Sequence, residues 1–338
     1  MFTRIKQLFA PNAQKTLYIL VGILISFVGN LQAQSGEIGE TKKIKGFIPF
    51  LYKKFETHGN LNFPLKENHQ ELILQLRAGN LTLTNHDKPE IEIEANIRTV
   101  SLSRKKSSKF IQEFLKFSVL EKENKIYIRS QFDIQRQKRK SVEGDRYVYT
   151  FSMGAAMGTP GSKIHLNIKV PTNIYVLIRD HSGGIAVRDF NNPLRIEDKS
   201  GHIKLENIAG KLSISDGSGK IEGTQLHDSV SIQDRSGLIK INEVKGTLAI
   251  DDRSGHMVIQ EVAGDLNIDD AAGLIEVSHV SNSLKISDKS GKIILSNISY
   301  PNKNNSEIRI WDRSGSIFLH EVHGDLHLQD RSGKVHRR

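Results

Sequence analysis

Carboxylates and hydroxyls recur through the second half of this chain at a fixed spacing. Asp-x-Ser-Gly, or a close variant, occurs nine times between Asp180 and Gly333, and successive glycines are eighteen residues apart in all but one case. Representative copies are Asp198, Ser200 and Gly201; Asp234, Ser236 and Gly237; Asp252, Ser254 and Gly255; and Asp312, Ser314 and Gly315. Stacked carboxylates and hydroxyls suggest three chemistries. They could coordinate a row of Ca²⁺ ions, which take about six to eight oxygens each. They could supply paired acids for polysaccharide cleavage. They could also be turn residues, because a type I turn favours Asp at its first position and Gly at its fourth, with the carboxylate accepting a backbone N–H two residues on.

The turn reading accounts for the pattern best. The spacing is not the Gly-Gly-x-Gly-x-Asp of calcium-binding β-rolls, and a basic residue inside most copies has the wrong sign for a cation site. A ladder of identical turn residues offers no unique carboxylate pair in contrasting surroundings. Aspartates stacked ~4.8 Å apart would repel by ~0.9 kcal/mol in water and ~3.5 kcal/mol at an effective dielectric of 20. Interleaved Lys199, Arg235, Arg253, Lys289, Arg313 and Arg331 are expected to offset that repulsion.

The elements that carry these turns follow from the repeat. Each unit reads G-x-I-x-I-x-x-V-x-G-x-L-x-I-x-D-x-S, and the alternation of Ile203 and Leu205, then Leu212 and Ile214, marks two short strands with one buried face each. One unit is too short for a free-standing sheet but long enough to close a coil whose strands pair in parallel with the next. The expected fold is an all-β, single-stranded parallel β-solenoid. Seven positions past each glycine, Phe190, Ile208, Leu226 and their equivalents should turn inward, while the Asp-x-Ser-Gly corner should face water.

Upstream the pattern loosens. Alternating apolar residues at Leu72 to Leu76, Leu81 to Leu83 and Ile91 to Ile97 suit coils that begin and cap a solenoid. Phe110, Phe114 and Leu115 predict a helix over 107–117, followed by strands at 117–120 and 125–132, as an inserted helix and hairpin. Arg4, Lys6 and Lys15, an apolar run from Leu17 to Val28 and small residues before Gln34 have the form of a secretory signal, with cleavage expected after Ala33. An uncleaved anchor is the alternative. The resulting divisions are a signal peptide at 1–33, a linker at 34–54, a cap with irregular coils at 55–178 and regular coils at 179–338.

The chain has no cysteine, hence no disulfide and no lipidatable thiol. Its net charge of +10 lies mostly before residue 179. Arg104, Lys105 and Lys106, with Lys138, Arg139 and Lys140, could meet an anionic surface, and for an exported protein nucleic acid is the least fitting partner. His320, His323, His327 and His336 lack zinc-ligand spacing and read as surface histidines. Catalytic, cofactor and metal residues are therefore all assigned as none.

The stretch from Ile168 to Val176, the Asp-x-Ser-Gly-x-Ile-x-Ile units and the Val-x-Gly-Asp-Leu variants at 262–266 and 322–326 resemble a bacterial β-strand-repeat family of provisionally named adhesins. The resemblance runs from about residue 55 to the C-terminus. It implies a parallel, right-handed β-solenoid on an exported protein and carries no catalytic residues. The expected function is a non-enzymatic periplasmic, surface or secreted protein whose rigid face binds glycan, matrix or protein. A self-associating envelope scaffold and a polysaccharide-cleaving β-helix enzyme are the alternatives.

Two breaks in the repeat stand out. Asp270 is followed by Ala271 and Ala272 in place of a basic residue and serine, and six extra residues separate Gly291 from Gly315. Tyr300 lies in that insertion, and Trp311, the one tryptophan, follows it at an outward position. Both are candidate ligand contacts; packing of Trp311 beneath its own loop is the favoured alternative.

Overall fold

The computed structural model describes residues 18–19, 53–77, 79–132, 139–143, 146–150, 163–299 and 306–338. Its strands form two thirteen-stranded sheets that share one core, with a separate two-stranded hairpin. One sheet collects the long strands of the coils and the other the short strands. In a representative coil the short strand Leu248–Asp252 leads through the Asp-x-Ser-Gly turn into the long strand Gly255–Val262, and a second corner returns the chain to Leu266–Asp270. The fold is a parallel β-solenoid, as the period predicts.

Register is strict. Gly201 pairs with Gly219, Gly219 with Gly237, and Gly237 with Gly255, so equivalent side chains stack into columns. Inside, Ile203, Leu205 and Ile208 of one long strand and Leu212 and Ile214 of the following short strand are buried and continuous with their counterparts above and below. The six extra residues before Ser306 do not disturb this, because Gly291 still pairs with Gly315.

Strict alternation cannot place both the fourth and the seventh residue after each glycine in the core, since their separation is odd. The chain resolves the conflict with one left-handed residue per coil. Asp189, Asn207, Gln225, Glu243, Glu261, His279, Asn297 and Glu321, each six past its glycine, have φ between 48° and 57°. The kink resets the phase and turns Phe190, Ile208 or Val262 inward. Beyond it the backbone ladder continues, as when the Ala263 N–H donates to the Val244 carbonyl at 2.8 Å.

The N-terminal end departs from all-parallel pairing. Strands β1 (Tyr18–Ile19), β2 (Lys53–Pro64), β3 (Glu71–Leu76), β4 (Gly79–His86) and β5 (Glu90–Ser101) precede helix α1 (Arg104–Phe114). Then come β6 (Leu115–Lys122), β7 (Lys125–Phe132), β8 (Arg139–Glu143), β9 (Arg146–Thr150), β10 (Lys163–Pro171) and β11 (Tyr175–Arg179). Strand β4 serves as the coil beneath the first regular one, Gly79 lying under Gly183. Below it β10 is parallel to β4 but antiparallel to β5, and β5 is antiparallel to β2. In the other sheet β6 and β7 form an antiparallel hairpin.

Helix α1 begins three residues earlier than its apolar spacing predicts, because Ser103 is its N-cap and accepts the Lys106 N–H at 3.3 Å. Apart from β1, the predicted signal peptide and linker up to residue 52 lie outside the described residues.

Candidate functional site

Two sets of polar residues are positioned by the coils. The first is the Asp-x-Ser-Gly edge, where each Asp ends or directly follows a short strand in the same alternation as the two aliphatic residues before it. Asp198, Asp234, Asp252 and Asp312 are accordingly buried, and Asp270 is only 1% exposed. This corrects the expectation of a water-facing corner in part: the basic residues, where a turn has one, are exposed as expected, but the carboxylate points into the molecule.

One carboxylate oxygen holds the turn. Asp234 Oδ1 accepts the N–H groups of Arg235 at 2.7 Å and Ser236 at 3.2 Å, and Asp198 does the same with Lys199 and Ser200. The serine hydroxyl links successive coils, Ser254 Oγ donating to the Arg235 carbonyl and Ser314 Oγ to the Lys289 carbonyl, each at 3.3 Å. Glycine is required because the coils approach too closely for a side chain. A Cβ on Gly237, at φ 148°, would sit 2.0 Å from the Gly219 carbonyl oxygen.

The expected offset of the carboxylates by Lys and Arg is also corrected. Among the described residues no ion pair joins a ladder aspartate to these cations. The second oxygens of Asp216, Asp270 and Asp288 are buried without a partner. Burial, reinforced by neighbouring carboxylates, pushes Asp180, Asp216, Asp270 and Asp288 up to about 6. Asp198, Asp234, Asp252 and Asp312 are raised as well, chiefly by burial. Calcium does not suit this edge: one oxygen of each Asp is committed to amides and the hydroxyls to carbonyls, and among the described residues no group of three or more His, Asp or Glu is placed to hold a metal.

The second set lies on the outer face of the short-strand sheet. There the outward residues of five successive strands, from Ser231 to Trp311, line an open trough of about 580 Å³. Small side chains line one end of it, Ser231 and Ala249 standing in a column that carries Asn267, Lys285 and Arg309 on the following coils. Gln233, Asp251, Asn267 and Asp269 supply polar groups along it, and parallel register puts Asp251 beside Asp269. Trp311 closes one end, half-buried, with the Lys285 ammonium 5.3 Å from its ring centroid and Ser287 on the adjoining strand.

Trp311 is thus the sequence candidate that the structure places in a concavity, while its neighbours Gln233, Asp251, Asn267 and Asp269 were not singled out as a site. Tyr300 and the rest of the insertion at 300–305 lie outside the described residues. Arg104, Lys105 and Lys106 are exposed in the first turn of α1; Lys138 and the side chains of Arg139 and Lys140 are not described. The four histidines stay apart, His336 stacking on Phe318 at 4.6 Å and His327 meeting Asp325.

No protein-family model matches the chain, and no curated protein does. Solved structures do match. The structural neighbours are bacterial proteins named as adhesins. One is described as a "putative cell adhesion protein" from Clostridium sporogenes, with 11% identity over 85% of this chain and 100% of that one, at a TM-score of 0.27. Another is a "putative adhesin" from Bacteroides fragilis, with 14% identity, 83% and 97% coverage and a TM-score of 0.30. A third, from Parabacteroides merdae and described in the same words, has 9% identity, 83% and 96% coverage and a TM-score of 0.31. The fold assignment itself rests on strand register.

Proposed function

We propose that this protein is an exported, non-enzymatic binding protein of the adhesin type, which holds its ligand on the outer face of the short-strand sheet. The trough ending at Trp311 carries this reading. It joins an aromatic surface to a row of hydroxyl, amide and carboxylate groups on a backbone paired on both sides, so the groups are fixed before a ligand arrives.

The same arrangement argues against catalysis. Acid–base cleavage needs two carboxyl groups whose surroundings differ, one apolar and one solvated. Asp251 and Asp269 are equivalent positions on successive coils, both exposed. Incubating the protein with immobilised glycans, mucin and matrix proteins, and assaying the same panel for reducing ends, tests the proposal. Retention without new reducing ends is the expected result; release of sugar, or retention on no surface, overturns it.

A further inference from the structure

We infer that the trough takes a neutral, hydroxyl-rich glycan chain, lying across the strands with a sugar ring on Trp311. This rests on the binding reading above and adds to it the ligand's chemistry and direction. The five strands between Ser231 and Trp311 span about 19 Å at ~4.8 Å each, room for several consecutive rings rather than one. The polar groups recur at every strand, matching a polymer whose hydroxyls recur at every ring. Gln233 and Asn267 can both donate and accept, and Asp251 and Asp269 accept the charge-assisted bonds that sugar hydroxyls donate.

Neutrality follows from the charges on this face. Asp251 and Asp269 stand side by side and would repel a uronate or sulfate. On the regular short strands the outward cations other than Lys285 are paired with glutamates: Arg179 and Arg195 with Glu197 at 2.8 and 3.0 Å, and Arg309 with Glu307 at 2.6 Å. Lys285 alone reaches the trough, and it stands over the indole ring, so it must swing aside for a ring to stack there. The chain's net charge of +10 would favour acidic polymers in general, which makes the preference a discriminating one.

Because Trp311 is the only tryptophan, its emission reports on this site alone. The full chain is titrated with glucan, mannan, galactan and chitin-derived oligosaccharides of increasing length, and with polygalacturonate oligomers. The expected result is a saturable change in emission with at least one neutral series, tightening with length to a plateau, and none with polygalacturonate. Ala249→Arg, which fills the trough from an outward position, should abolish the change while leaving the thermal midpoint in place. By calorimetry, Trp311→Ala should weaken binding roughly three- to tenfold.

No response to any neutral series, full affinity in Ala249→Arg, or a polygalacturonate response lost in Ala249→Arg would each overturn the inference. Retention on the surface panel that Ala249→Arg leaves intact sinks this inference but spares the binding reading; no retention at all removes both.

Discussion

A buried carboxylate is costly unless it is hydrogen-bonded or protonated, and the ladder aspartates use both routes. Oδ1 of Asp270 accepts the Ala272 N–H, while its Oδ2 has no partner beside neighbouring carboxylates. Four of these acids titrate near 6 in the folded chain against 3.8 ordinarily. A raised folded value means that their contribution to stability is full below the ordinary value and is lost as pH rises through about 6. Glu92, Glu121, Glu197 and Glu222 work in the opposite sense, being lowered chiefly by hydrogen bonds from Lys or Arg, so their contribution is lost as pH falls below the usual carboxylate range. Thermal melts should therefore give a higher midpoint near pH 5 than near pH 7.5. Asp270→Asn keeps an acceptor for the turn and removes the charge, so it should stabilise by about 1 kcal/mol at pH 7.5, by roughly half as much at pH 5, and hardly at all below the ordinary carboxylate value of 3.8. The inward direction of the carboxylate was legible in the sequence: in Leu248-x-Ile250-x-Asp252, Asp shares the parity of the two core residues. Polarity suggested water, but parity decided.

Each coil is closed by two unlike corners. The Asp-x-Ser-Gly corner announces itself through its letters. The other depends on a left-handed residue whose column holds Asp, Asn, Gln, Glu and His, and its only mark in the sequence is the lack of β-branched side chains. Glu261→Val should cost about 1–2 kcal/mol in chemical denaturation, and Glu261→Gly should be neutral or slightly stabilising, since only glycine adopts this conformation freely. The strands themselves were readable from alternation and from the period. Helix α1 was displaced because Ser103 outranks the apolar spacing as a start signal. The trough was readable only in part: Trp311 was visibly outward, but the concavity exists because Ser231 and Ala249 lie on coils stacked in register, a relation between distant units that no local pattern contains.

As a whole the molecule behaves as a one-dimensional stack, each coil bonded to the two beside it. Excising residues 219–236 removes one complete unit and places Gly237 over Gly201, so the shortened chain should fold with strand content in proportion and a midpoint lower by a few degrees. Cutting nine residues instead would oppose long strands to short ones, and circular dichroism should then show loss of the sheet. EDTA should leave the midpoint of the intact protein unmoved, because one oxygen of each carboxylate is committed to turn amides and the serine hydroxyls to carbonyls, which leaves fewer oxygens than the roughly six to eight that calcium takes. A chelator-dependent fall would return the ladder to the metal-binding reading.

The glycine seam has a consequence for how such a protein can change over generations. With a Gly237 Cβ destined to lie 2.0 Å from a neighbouring carbonyl oxygen, that column is closed to substitution, whereas the outward column through Gln233, Asp251 and Asp269 touches no other coil's core. Heredity can therefore revise the trough letter by letter while the seam stays fixed. A copying slip that duplicates one eighteen-residue unit lengthens the trough by a single strand spacing, about 4.8 Å, so ligand length becomes a quantity that recombination adjusts in whole steps.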